Sequence, residues 1–141
     1  MKVVKFLAHP VVLIISFLLI LISGEHVGGF YTMYLVMALP HGGVHAVLGV
    51  IGITLLLISF VKFKGANKFL ARLLLNLAGL VGLWLSIFYF FYQDKSGYNN
   101  GTFQQLLPIL SIGLFALISF CFFIETIVFG KRINEGTISF K

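Results

Sequence analysis

Four long apolar runs, separated by short polar segments, dominate the pattern of the chain. They cover residues 6–23, 44–61, 73–91 and 106–129. A helix needs about 20 mainly apolar residues to cross ~30 Å of hydrocarbon, and each run comes close to that length. The pattern therefore predicts an all-α fold: an integral membrane four-helix bundle that forms a single domain over residues 1–141.

A shorter apolar stretch, residues 31–39, lies in the first outer loop between the first two runs. It is too short to span a membrane and too apolar to lie in water, so we expect an interfacial or re-entrant segment, or one that contacts a partner. Tyrosine and methionine are enriched at protein interfaces. The residues expected to contact a partner are Tyr31, Tyr34, Leu35 and Met37. A helix held at the membrane surface by its tyrosines is the alternative.

The basic residues fall almost entirely on one side of this four-span arrangement. Nine of the ten lie there: Lys2, Lys5, Lys62, Lys64, Lys68, Arg72, Lys131, Arg132 and Lys141. Lys95 falls on the opposite side. Because short basic loops stay in the cytoplasm, we expect cytoplasmic N and C termini and a multi-pass protein of the bacterial inner (plasma) membrane.

The composition excludes an ordinary soluble domain. Hydrophobic residues make up 60% of the chain and charged residues 10%, whereas charged residues are about a quarter of a typical soluble protein. The basic residues that give the net charge of +6 flank the apolar runs. We therefore expect them to contact the headgroups of membrane lipids and not nucleic acid. Cys121 is the single cysteine, which excludes an internal disulfide.

Small and polar residues recur at helical spacing on the second and third runs. Such faces let two helix backbones approach closely in a membrane. The predicted packing residues are Gly49 and Gly52 on the second run, and Asn76, Gly79, Gly82 and Ser86 on the third.

Arg72 and Glu125 lie at matching depths near one end of the third and fourth runs. Ionisable residues inside a membrane usually have a partner, so a structural ion pair is the favoured interpretation. The alternative is a small-solute or proton-coupled transporter that uses Glu125.

Histidines gather at the outer ends of the first two runs. His41 and His45 are four residues apart and share a face if one helix carries both, and Glu25 and His26 leave the first run at the same level. Nitrogen and oxygen ligands suit a metal ion, paired histidines suit a haem, and a single histidine can hydrogen-bond a quinone. The alternative is a set of interfacial histidines that bind nothing.

The sequence contains no glycine-rich phosphate loop, serine nucleophile elbow or pair of carboxylates at one level. We therefore expect no enzyme activity and no required cofactor. The favoured function is a non-catalytic accessory or structural subunit of a larger integral membrane complex, and the alternative is a metal, haem or quinone site at the outer histidines.

The stretch His45-Ala-Val-Leu-Gly-Val-Ile-Gly52, which opens the second run, resembles a signature of small bacterial four-helix membrane proteins grouped as a domain of unknown function. The resemblance implies four membrane spans and does not imply any activity.

The asymmetry of basic residues leads to a test of orientation. A reporter fused after Lys141 should be active only in the cytoplasm, and one inserted beside Asn99 only outside it. Paired cytoplasmic and periplasmic reporters at each site provide the measurement. Cytoplasmic activity at Asn99 would contradict the orientation.

Overall fold

The computed structural model describes residues 2–24, 28–62 and 69–134, and most of them are helical. The helices are α1 (Lys2–Leu7), α2 (Pro10–Leu18), α3 (Tyr31–Ala38), α4 (Val44–Lys62), α5 (Phe69–Gln93) and α6 (Leu106–Asn134). Strands β1 (Leu21–Ser23) and β2 (Gly28–Phe30) pair between α2 and α3, and short 3-10 helices cover Leu39–His41 and Tyr98–Phe103.

Three helices in the described part of the chain are long and apolar enough to cross a membrane. They are Val44–Lys62, Phe69–Gln93 and the Leu106–Val128 part of α6. Their lengths of 19, 25 and 23 residues are close to or above the ~20 mainly apolar residues that a crossing requires. The protein is therefore a mostly helical membrane protein, as the hydropathy pattern predicts.

The first apolar run does not form the continuous helix expected over residues 6–23. Helix α1 ends at Leu7 and α2 begins at Pro10, because a residue before proline is driven out of the helical conformation, and His9 is extended. The His9 side chain accepts a hydrogen bond from the Val11 N–H at 3.2 Å and so caps α2. The result is two short helices that pack beside α6.

Helix α2 stops at Leu18 because side chains replace the next helical hydrogen bonds. Thr32 Oγ1 donates to the Leu18 carbonyl at 2.6 Å. The Leu21 N–H donates to Ser111 Oγ of α6 at 2.9 Å, and strand β1 then leads away from the helix. Tertiary contacts thus override the helical preference of an apolar run.

Strands β1 and β2 form an antiparallel hairpin that directs the chain back toward the bundle. Leu21 pairs with Phe30 and Ser23 pairs with Gly28. The edge of β1 that does not pair with β2 also forms a hydrogen bond, since the Ser23 N–H donates to Thr102 Oγ1 at 3.0 Å. Non-helical backbone at membrane depth is tolerated when protein groups satisfy it in this way.

The Tyr98–Phe103 segment that covers the hairpin is anchored to a turn after α5. Asp94 accepts hydrogen bonds from Ser96 Oγ at 2.6 Å and from the Asn99 N–H at 2.7 Å. These bonds lower the pKa of the Asp94 carboxyl below its ordinary value.

Helices α4 and α5 pack through the two predicted glycine faces. A Cβ built on Gly52 would lie 2.9 Å from the Gly79 carbonyl oxygen, and one on Gly82 would lie 3.1 Å from the Gly52 Cα. At Gly49, a Cβ would lie 2.9 Å from Ser86 Oγ. The absence of side chains at these positions is therefore what permits the close approach of the two helices.

We expect Gly79→Ala to lower the free energy of unfolding by about 1–3 kcal/mol, the usual effect of overpacking a core. The added methyl would lie 2.7 Å from Leu56 Cγ and 3.0 Å from the Gly52 carbonyl oxygen. Unfolding of purified protein in mixed detergent micelles measures the change.

Gly113→Ala is the matched control, because a Cβ at Gly113 meets nothing within 4 Å. That change should be neutral or stabilising, since alanine is the better helix former. Equal destabilisation by the two substitutions would contradict the packing argument.

Candidate functional site

Helix α3 begins inside the bundle at Tyr31, which is 0% exposed. Its hydroxyl lies 3.0 Å from the Ser86 carbonyl oxygen and 2.9 Å from Ser86 Oγ. Ser86 Oγ lies 2.6 Å from the His45 carbonyl oxygen, which can only accept, so the serine proton points there. Tyr31 must then donate to Ser86, and this chain of hydrogen bonds joins α3, α5 and the start of α4.

The apolar segment 31–39 packs one face into the bundle, and Tyr31 and Leu35, two of the four residues expected to contact a partner, lie on that face. Tyr31 and Leu35 are 0% and 4% exposed, because the face that they share on α3 packs into the bundle. Tyr34 is partly buried. Met37 faces outward and is 70% exposed.

Helix α3 covers a cavity of about 540 Å³ that we call the histidine cavity. Its walls come from β2, α3, the first 3-10 helix, α4 and α5. They are formed by Gly28, Gly29, Met33, Tyr34, Met37, Ala38, His41, His45 and Phe90. Most of these residues are apolar, and the polar atoms belong mainly to one tyrosine and two histidines.

Phe90 is the centre of an aromatic cluster at this cavity. The ring centroids of Tyr31 and Tyr34 each lie 5.2 Å from that of Phe90, and the His45 centroid lies at 5.3 Å. All three are edge-to-face contacts, a preferred arrangement of aromatic pairs. The imidazole of His45 therefore packs against this cluster through Phe90.

The two histidines of the cavity have their Nδ1 atoms engaged. His41 Nδ1 lies 3.0 Å from the Met37 carbonyl oxygen, which can only accept, so Nδ1 is the donor. His45 Nδ1 lies 3.5 Å from Gln93 Oε1. The Nε2 atom of His45 is buried and has no hydrogen-bond partner among the described residues.

His41 and His45 share the cavity but not one helix, so the condition for a shared helix face is not met. His41 ends a 3-10 helix, Gly42 follows with φ +67°, and α4 starts at Val44. Glu25 and His26 lie outside the described residues. Among residues 2–24, 28–62 and 69–134, no three His, Cys, Asp or Glu side chains group as metal ligands. A bound metal or haem stays a prediction.

Arg72 and Glu125 line a separate cavity of about 330 Å³ at the opposite end of the helices. We call it the basic cavity, after Lys5 and Arg72 in its wall. The expected ion pair between Arg72 and Glu125 stays a prediction, and so does a transport role for Glu125. The remaining lining residues are Ala8, His9, Pro10, Phe60, Phe69, Leu73, Asn76, Phe122 and Thr126.

Comparison with protein-family models, with curated proteins and with solved structures finds no match for this chain. The resemblance of residues 45–52 to small four-helix membrane proteins therefore stays an expectation.

Sequence reasoning identified the histidines but missed most of the cavity wall. Phe90 is one of 16 phenylalanines, and nothing in the sequence distinguishes it from those that face lipid. Gly28 and Gly29 carry a usable signal, since a glycine pair just before an apolar stretch suggests a change of chain direction.

Proposed function

We propose that this chain is a non-catalytic membrane protein that binds a quinol, an apolar ring carrying hydroxyl groups, in the histidine cavity. The observation that carries the proposal is His45, which lines an apolar cavity and whose buried Nε2 atom has no hydrogen-bond partner among the described residues. A buried acceptor without a donor costs about 1–3 kcal/mol, so a ligand that supplies one is favoured.

The walls of the cavity suit the ring of such a ligand. Small-molecule sites are usually 300–1,000 Å³ in volume, mainly apolar, with a few well-placed polar groups. The cavity of about 540 Å³ falls in that range. Met33, Met37 and Phe90 provide deformable thioethers and an aromatic face, which pack well against a flat ring.

The polar groups of the cavity favour the reduced form of the ligand. In the neutral tautomer whose Nδ1 donates to the Gln93 amide oxygen, 3.5 Å away, Nε2 is an acceptor that an O–H donor would satisfy. A quinol has two such donors, whereas a quinone has carbonyl acceptors alone. His41 is a second histidine in the wall of the same cavity.

The proposal includes a four-span arrangement with cytoplasmic termini in the bacterial inner membrane. Residues 2–23 supply the fourth crossing as α1, α2 and β1 in series. Helical residues advance about 1.5 Å each and extended ones about 3.3 Å, so this segment reaches roughly 40 Å. The histidine cavity then lies on the outer side, opposite the basic loops.

Quenching of Trp84 fluorescence tests binding, because Trp84 is the single tryptophan and lies on α5, as does Phe90. Menadiol should quench purified protein saturably and bind about tenfold more tightly than menadione, the difference made by one good hydrogen bond. His45→Phe should abolish this preference for the reduced form.

His9→Phe is the matched control, since His9 lies on the basic cavity. It should leave the affinity and the redox preference unchanged. Equal quenching by menadiol and menadione, or equal loss in the two histidine variants, would exclude the quinol site.

A role as a subunit of a larger integral membrane assembly is the second candidate. The outward side of α3 favours it, since Val36 is 61% exposed and does not line the histidine cavity. Apolar surface on a short re-entrant helix is available to a neighbouring membrane protein.

Val36→Glu tests the subunit role without touching the histidine cavity, which Val36 does not line. Purification through a tag at Lys141 should recover larger membrane proteins with the natural chain, and Val36→Glu should reduce their yield at least fivefold. Leu106→Glu is the control, because Leu106 is 72% exposed at the start of α6. Unchanged recovery with Val36→Glu would argue against this surface.

A further inference from the structure

We infer that the basic cavity binds an anionic phospholipid, with the lipid phosphate held between Lys5 and Arg72. Both side chains line the cavity, one from α1 and one from the first turn of α5. Basic pockets between membrane helices are established binding sites for anionic lipid headgroups. The site is independent of the histidine cavity.

The charge of the cavity matches a phosphodiester. Lys5 and Arg72 contribute two positive charges and Glu125 one negative charge, so these groups leave a net charge of +1. A phosphodiester carries one negative charge and would neutralise it. Arginine and lysine are both well suited to phosphate oxygens, and the guanidinium group can donate two parallel hydrogen bonds.

Asn76 adds a buried side-chain amide whose oxygen lacks a hydrogen-bond donor among the described residues. It is 5% exposed and lines the cavity, its Nδ2 lies 3.5 Å from Thr126 Oγ1, and its Oδ1 has no partner among the described residues. A half-turn of the amide on binding would let Oδ1 accept from the Thr126 hydroxyl. The amide would then present N–H donors to a phosphate oxygen.

The remaining walls distinguish a lipid from a free phosphate ion. Phe60, Leu73 and Phe122 line the cavity beside the charged groups. The ring of His9 contacts Phe60 edge-to-face at 4.9 Å and extends this apolar surface. A free phosphate ion gains nothing from these walls, whereas the glycerol and upper acyl chains of a phospholipid bury apolar area against them.

Titration of the purified full-length chain in a neutral detergent tests the inference. Phosphatidylglycerol should bind at one molecule per chain by native mass spectrometry, and phosphatidylcholine should bind at least tenfold more weakly. Lys5→Gln and Arg72→Gln should each weaken phosphatidylglycerol binding about fivefold, the effect of one cation near a lipid headgroup. Arg72→Lys should retain most of the affinity, because the positive charge is kept.

Two further variants distinguish a specific binding site from non-specific electrostatic attraction of the lipid. Lys62→Gln removes an exposed positive charge at the same end of the helices from a residue that does not line the cavity, and it should leave binding unchanged. Glu125→Gln removes the negative charge of the cavity and should strengthen binding about fivefold.

Three outcomes would overturn the inference. An equal loss in Lys62→Gln and Lys5→Gln would show surface electrostatics without a site. Equal affinity for phosphatidylcholine would show that the negative charge is not recognised. Competition by inorganic phosphate at millimolar concentration, with no added affinity from acyl chains, would assign the cavity to a soluble anion.

Discussion

Satisfaction of backbone hydrogen bonds away from water is the constraint on which the rest of this structure depends. Backbone N–H and C=O groups that face lipid without a partner cost several kcal/mol each. Here the side chains of Ser111 and Thr102 bond the outer N–H groups of strand β1, and Thr32 bonds the Leu18 carbonyl at the end of α2. Because the hairpin is stable, α3 can begin inside the bundle and form one wall of the histidine cavity.

The glycine faces of α4 and α5 set the second condition for the site. They bring the two backbones close enough for Ser86 Oγ to reach the His45 carbonyl oxygen at 2.6 Å. Tyr31 completes this arrangement from α3. A bulkier residue at Gly52 or Gly79 would separate the helices and break these bonds, so helix packing and site geometry are one structural feature.

Hydropathy was sufficient to predict the three long helices, because each is a continuous apolar run of membrane length. The proline in these helices, Pro108, lies in the first turn of α6, where it is tolerated. Hydropathy failed at the first run, where Pro10 divides the helix and contacts with distant residues end it. Such contacts depend on residues up to 90 positions away, which no local pattern contains. The sequence left the course of residues 31–39 open, and the inward direction of Leu35 depends on tertiary contacts of the same kind.

The histidines of the candidate site could be predicted from the sequence, whereas its aromatic wall could not. Histidine is rare in an apolar chain, so His41 and His45 were conspicuous whatever the fold, although Gly42 places them on different elements. Phe90 has an ordinary identity and acquires its role from the rings packed around it. Helix α5 contributes Phe90 to a neutral, apolar cavity near one end and Arg72 to a charged cavity near the other. Separation of the two cavities along α5 keeps the charged groups of one away from the apolar walls of the other, where an unpaired charge would be costly.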